Sequence, residues 1–167
     1  MPNRRPDIGF LPTPPEVVDV ILDLAGLNQQ DLVYDLGCGD GRILIAAAQR
    51  FGVRGVGIDI DHDRVQEATH YAQQAGVSHL LTFQQQDLYE SQFASATVVI
   101  LYLLPHLNLK LRPRIFDQLK PGTRIISHDF DMGDWPPEQI VQIPTQEGEV
   151  ATLYYWTLAD AIAEIKA

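Results

Sequence analysis

Apolar positions along the chain fall into two alternating kinds of run. Val17, Val18, Ile21, Leu22 and Ala25 recur at helical spacing, which marks a helix with one face toward a core. Thr13-Pro14-Pro15-Glu16 stands just before them. It reads as a capping box, with Thr13 at the N-cap, proline in the first turn and Glu16 three residues on. Leu32–Leu36 is a short strand-like run that ends in a glycine-rich loop. Ile43, Leu44, Ala47, Ala48 and Phe51 form a second helical stripe, followed by a strand over 53–59. Val65, Ala68, Ala72 and Ala75 share one face of a third helix, which Gly76 stops. Strands are expected over 80–84 and 97–103. A helix through Leu111, Ile115, Phe116 and Leu119 ends at Pro121-Gly122. A fifth strand follows over 123–127, and two more are expected at Gln139–Pro144 and 150–158.

The run at 97–103, TVVILYL, is apolar at nearly every position. That suits a central parallel strand covered by helices on both faces. Strand–helix alternation with short links argues for an α/β, doubly wound, mostly parallel sheet. The last two strands have no helix-length segment between them, so they are expected to pair as an antiparallel C-terminal hairpin. Seven strands in this arrangement make a Rossmann-like fold. No repeat, low-complexity tract or linker breaks the pattern, and residues 1–167 are expected to form one domain.

Charge narrows the partners. Lys and Arg total 12 against 22 Asp and Glu, a formal net charge of −10. Extended contact with a nucleic-acid backbone rests on clustered cations, so no nucleic-acid partner is expected. The three lysines, Lys110, Lys120 and Lys166, form no polybasic run for an anionic membrane. The longest near-apolar run, 94–105, is too short to span a bilayer, so no membrane partner is expected. No apolar stretch follows the arginines of MPNRRPD, as a signal peptide would require. The single cysteine, Cys38, excludes an internal disulfide. The five histidines are scattered and suggest no metal site. The expected location is the cytoplasm.

In an open α/β sheet, ligands bind beyond the carboxyl ends of the strands, where strand order reverses. The loop after the first strand, Asp35-Leu36-Gly37-Cys38-Gly39-Asp40-Gly41-Arg42, leads straight into a helix. Its glycines permit a tight turn and close approach of a ligand to backbone. Asp59 closes the second strand, where a carboxylate can accept two hydrogen bonds from a ribose diol. Asp87 stands after the third strand. Each has a plain alternative: Asp59 as a helix N-cap, a role Asp61 fills as well, and Asp87 as a solvated loop acid. Their placement at successive strand ends favours one shared crevice. The spacing matches neither G-x-G-x-x-G nor a terminal Gly-Lys-Ser/Thr. Asp35 is poorly placed for a phosphate and well placed for an ammonium. A ligand with an amino-acid end, a ribose and an adenine satisfies these positions together.

The run DLGCGDGR, then GIDID, then QQDL, resembles the cofactor motifs of class I S-adenosylmethionine-dependent methyltransferases. PTPPEVV, ATVVILYLLPHLN, LKPGTRIISHDF and GDWPP extend the likeness over residues 10–137. They resemble the small protein-lysine methyltransferases of archaea and their mitochondrial relatives. The resemblance implies that Gly37, Cys38 and Gly39 line the methionine part of S-adenosyl-L-methionine. Asp35 would face its amine, directly or through water, and Thr13 its carboxylate. Asp59 would hold the ribose, with Ile60 on the adenine, Asp87 at the adenine amino group and Leu88 nearby. Tyr102 would sit near the sulfonium methyl and position the acceptor. The membrane anchor of mitochondrial relatives has no counterpart here, and their membrane substrate is not carried over.

The implied partner is a protein with an exposed lysine. A lysine amine, with a pKa of about 10.4, lies about 3 units from neutral at pH 7.5, a cost of roughly 4 kcal/mol. A largely apolar channel favours the neutral amine, and Phe10, Pro12, Leu103 and Trp135 are candidate walls. Residues 1–12 are expected to act as an N-terminal lid, against the alternative of a staple on Val17. His106, His128 and Asp129 lie near strand ends and are candidates to assist proton removal. LYLLPH after the fourth strand is not an Asn- or Asp-Pro-Pro-aromatic tetrad, which argues against nucleic-acid bases as acceptors. Two alternatives stay open: a small-molecule N- or O-methyltransferase, and a non-catalytic module that only binds the cofactor.

Overall fold

The computed structural model describes residues 12–159. Five strands lie parallel: β1 (Leu32–Leu36), β2 (Arg54–Asp59), β3 (Leu81–Gln85), β4 (Val98–Leu101) and β5 (Arg124–His128). β7 (Val150–Thr157) adds antiparallel to β5, and β6 (Gln139–Pro144) pairs antiparallel with β7 at the edge. The strand order is β3-β2-β1-β4-β5-β7-β6. The chain therefore reverses direction across the sheet between β1 and β4. This is the expected doubly wound, Rossmann-like sheet with its closing hairpin.

Period-two alternation along the strands feeds two separate cores. Val33, Val98, Ile100 and Ile126 point to the face covered by α1 (Pro15–Ala25), α2 (Arg42–Phe51) and α3 (His62–Gln74). Tyr34, Val99, Leu101 and Ile125 point to the other face, against α4 (Pro105–Gln118) and the tryptophans Trp135 and Trp156. Gly55 and Gly57 in β2 let neighbours come close: a Cβ on Gly57 would stand 2.7 Å from Phe83 and 2.8 Å from the Cys38 sulfur.

Three local expectations are corrected. α4 begins at Pro105, well before the Leu111 stripe, because a proline at N1 starts a helix without needing an N–H partner. β4 ends at Leu101, which leaves Tyr102 and Leu103 free to turn over the crevice. The capping box does not form. Pro14 is the N-cap of α1, no side chain caps the helix, and the Pro14 carbonyl accepts from both Val17 and Val18 at 3.0 Å. With Pro15 lacking an N–H, there is one donor fewer for Thr13 to satisfy, and its hydroxyl turns elsewhere.

The ends of the strands opposite the crevice hold a structural polar network. Buried Asp31 accepts from the Thr97 hydroxyl at 2.8 Å and pairs with Arg124. The Thr97 oxygen in turn accepts the Leu32 N–H at 2.9 Å. Among the described residues, no helix is long and apolar enough to cross a membrane.

Candidate active site

A cleft opens over the carboxyl ends of β1, β2 and β4, with the strand reversal at its floor. Its lining includes Pro12, Thr13, Asp35, Gly37, Cys38, Gly39, Asp59, Ile60, Asp87, Leu88, Tyr102 and Leu103. The positions expected to hold the cofactor and to wall the acceptor channel are thus brought together, with two exceptions. Trp135 does not line the cleft. It is buried in the core behind the sheet, 4.9 Å from the Phe116 ring and 5.4 Å from Trp156, and its carbonyl accepts the Trp156 indole N–H at 3.0 Å. Packing of a large apolar side chain outweighs the channel role expected of it. Phe10 lies outside the described residues.

The glycine loop is held by backbone and by acid. Gly37 and Cys38 donate to the Ile58 carbonyl at 2.7 and 3.0 Å, and Gly39 donates to Asp59 Oδ2 at 2.9 Å. Gly37, Gly39 and Gly41 all adopt positive φ, the conformation that lets the loop wrap the cleft. Asp59 Oδ1 accepts from Asp61 at 2.9 Å, so each oxygen keeps a further lone pair for a ligand. Burial raises the Asp59 pKa, opposed by these N–H groups. The helix-cap role weighed for Asp59 belongs to Asp61, which accepts from Asp63. Asp87 caps the short 3-10 turn Leu88–Glu90 through Tyr89 N–H at 3.0 Å.

Asp35 differs from both. It is buried on the cleft floor, and no described group donates a hydrogen bond to its carboxyl. Burial, then the charges of Asp59 and Asp40, pushes its pKa up to about 8. A cation placed beside it would favour its ionised form. Burial, with the charges of Asp35 and Asp59, also lifts the Cys38 thiol well above its ordinary value. Cys38 lines the cleft.

Two further cleft residues stand outside the cofactor set expected from the sequence. Arg42 forks onto Asp40, with Nε at 3.1 Å from Oδ1 and Nη2 at 2.7 Å from Oδ2, and Nη1 donates to the Thr13 carbonyl at 3.1 Å. It ties the segment before α1 to the glycine loop. Its spacing from Asp40 is visible in the sequence, but its reach to Thr13 is not. His128 enters from the end of β5, with Nδ1 at 3.3 Å from Thr13 Oγ1 and its ring 4.0 Å from that of Tyr102. Burial lowers its pKa, against the opposing charge of Asp129. His106 is not among the cleft-lining residues. Among the described residues, no His, Cys, Asp and Glu group could hold a metal.

These features fit a nucleoside cofactor that carries an amino-acid end. Asp35 is an unpaired buried acid for its ammonium, Asp59 has spare acceptor capacity for its diol, and Ile60 and Leu88 supply apolar walls.

Comparison with known proteins places the same residues in context. Residues 35–139 match the family model described as the ANTKMT methyltransferase domain. The chain is 37% identical over 157 residues to a protein-lysine N-methyltransferase of Saccharolobus islandicus, covering 93% of this chain and 96% of that one. It is 32% identical to the adenine nucleotide translocase lysine N-methyltransferase of Mus musculus, covering 65% of this chain and 48% of the relative. A crystal structure described as an RNA methyltransferase from Salinibacter ruber in complex with S-adenosyl-L-homocysteine superposes with a TM-score of 0.84. That protein is 53% identical, with 90% of this chain and 95% of that one covered.

Proposed function

The chain belongs to the ANTKMT methyltransferase family of S-adenosylmethionine-dependent enzymes, and on that premise we propose that it methylates lysine side chains of a protein partner. S-adenosylmethionine supplies an electrophilic methyl group on a sulfonium. In this reading Asp35 pairs with the ammonium of the cofactor, and Gly37, Cys38 and Gly39 follow its methionine part. Asp59 takes the ribose hydroxyls, Asp87 the adenine amino group, and Ile60 and Leu88 the faces of the adenine. The Thr13 hydroxyl faces His128 in the cleft lining.

Methyl transfer is a one-step displacement, so the chain's main tasks are alignment and exclusion of water. Alignment alone can supply about 7–11 kcal/mol. Tyr102 and Leu103, which turn over the cleft beyond β4, form the walls past which the acceptor nitrogen approaches. Burial, then the charges of Asp129 and Glu149, keeps the Tyr102 hydroxyl protonated by raising its pKa. Of the N-terminal segment expected to act as a lid, only Pro12 is described, and it lines the cleft; residues 1–11 lie outside the described residues.

The observation that carries a protein acceptor is the 37% identity to a protein-lysine N-methyltransferase over nearly the full length of both chains. The relative described as an RNA methyltransferase raises the rival acceptor. A net charge of −10 disfavours it, since a polyanion would meet repulsion where a lysine-bearing partner meets attraction. Incubation with methyl-labelled S-adenosylmethionine and a cell lysate tests the reading. Label in protein, recovered as methyllysine after hydrolysis, is expected. Label in RNA or in small solutes instead would overturn the lysine acceptor, and label nowhere would point to a binding module. The cytoplasm is the proposed location, checked by fractionation.

A further inference from the structure

Three side chains at the acceptor end of the cleft fall into line. Thr13 comes from the segment before α1, His128 from the last position of β5, and Asp129 from the next residue. Thr13 Oγ1 lies 3.3 Å from His128 Nδ1, and both residues are buried. His128 Nε2 lies 3.6 Å from Asp129 Oδ2. The other carboxylate oxygen accepts the Thr152 N–H at 2.9 Å, and the Asp129 N–H donates to the Thr152 carbonyl at 2.6 Å. Asp129 also has φ of +65°, the one non-glycine residue with positive φ among those described. Such a conformation persists only where its surroundings impose it. Fully buried Asn108 adds to that restraint by donating to the Ser127 hydroxyl and to the carbonyls of Phe130 and Asp131.

The Asp129 carboxylate on the Nε2 side favours the ring proton there, which would leave the Nδ1 lone pair to accept from the Thr13 hydroxyl. The groups that face His128 from neighbouring elements are Thr13, the tilted Tyr102 ring and Asp129; the charge of Glu149 also reaches Tyr102. A hydroxyl and an imidazole in hydrogen-bond contact are thus followed by a carboxylate 3.6 Å beyond the ring, with Thr13 and His128 in the cleft lining and Asp129 one-third exposed at the outer end.

We propose that Thr13, His128 and Asp129 form a proton relay that discharges the acceptor ammonium before methyl transfer. This rests on the lysine reading above. An N–H bond of the ammonium breaks, its proton passes to Thr13 Oγ1, and the Thr13 hydroxyl proton passes to His128 Nδ1. The resulting imidazolium faces Asp129 and gives its Nε2 proton to water there, and exchange with water restores the Nε2–H tautomer before the next turnover. The amine lone pair forms the new N–C bond as the S–C bond breaks, so each turnover releases one proton overall. The relay does not lower the roughly 4 kcal/mol cost of a neutral lysine at pH 7.5. It supplies an exit for the proton, and burial, by lowering the His128 pKa, favours the neutral ring that can accept it.

Two measurements test it, using the protein found labelled at lysine in the lysate experiment as substrate. Single-turnover methyl transfer is followed against pH for the native protein, His128→Gln and Asp129→Asn, beside cofactor affinity by calorimetry. Asparagine tolerates the positive φ at 129, so Asp129→Asn is expected to fold if His128→Gln does not. His128→Gln should slow transfer about 100-fold at pH 7.5, as loss of a general base does, with cofactor affinity kept. The deficit should shrink as the pH nears about 10, where lysine loses its proton unaided. A deficit that is absent, constant with pH, or matched by lost cofactor affinity overturns the relay. Nitrogen-15 NMR of the native protein provides a readout independent of turnover. A proton on Nε2 with Nδ1 unprotonated is expected, and a proton on Nδ1 refutes the relay. If the native protein labels no lysine at all, the lysine reading itself has failed and the relay falls with it.

Discussion

Gly39 donates its backbone N–H to Asp59 Oδ2 at 2.9 Å across 20 residues of sequence, which joins the glycine loop after β1 to the end of β2. The acid proposed to hold the ribose therefore also shapes the loop proposed to hold the methionine part. Asp59→Ala should weaken S-adenosylmethionine binding by about 1.5–3 kcal/mol, roughly 10- to 150-fold. It should also lower the melting temperature, because the N–H groups of Gly39 and Asp61 lose their acceptor. Calorimetry beside thermal melts checks both parts. Unchanged affinity in a folded variant removes Asp59 from the ribose role. Asp87→Ala should weaken S-adenosylmethionine and adenosine alike, and a loss confined to the former means Asp87 is misplaced.

Asp35 makes the ligand-free protein respond to pH. The folded protein holds its proton up to about 8, while the ordinary value is 3.8. Between those values the unfolded chain binds fewer protons, so this group's contribution to stability falls as pH rises. Asp35→Asn should flatten that fall, seen in denaturant melts at pH 5 and pH 7.5. Pairing with the cofactor ammonium needs the carboxylate, so binding at pH 7 should release most of one proton. Calorimetry in two buffers of different ionisation enthalpy reads the release. Its persistence in Asp35→Asn would place the proton elsewhere.

Arg42 links Asp40 to the Thr13 carbonyl. Arg42→Lys keeps the charge but loses the planar fork. Cofactor affinity should drop by up to about fivefold, the scale of a partly exposed pair worth ~1 kcal/mol. The melting temperature should change little. Equal affinity for both forms would show that the tie to Thr13 does not shape the cleft.

Gly57 and Asp31 separate site from scaffold. Gly57→Ala drives a methyl into Phe83 and Cys38. It should destabilise by about 1–3 kcal/mol and weaken the cofactor through displacement of Cys38. Asp31→Ala removes the buried carboxylate that pairs with Arg124 and accepts from Thr97 and the Asn28 N–H at the far end of the sheet. It should cost about 3 kcal/mol and leave the cofactor dissociation constant unchanged. Paired melts and titrations distinguish the two patterns, and a cofactor defect in Asp31→Ala would break the separation.

The sequence by itself determined the elements, because a helix repeats near every fourth residue and a strand every second, and apolar side chains must follow one or the other to be buried. The stripe from Val17 to Ala25, the apolar run of β4 and the unlinked closing pair were enough for the doubly wound sheet and its hairpin. Asp35, Asp59 and Asp87 were legible for the same reason: parallel strands bring their carboxyl ends to one edge, so acids at successive strand ends converge without any knowledge of side-chain angles. What tertiary structure decided were choices between partners of similar chemistry. Thr13 had a local role as a cap within four residues of Glu16, yet its hydroxyl meets His128, 115 residues away. Trp135 had the character of a channel wall, but the gap between Phe116 and Trp156 buries it more fully than a cleft margin would. Local pattern ranks such options by propensity, and only the folded chain sets the distances that let one long-range contact displace a nearer one.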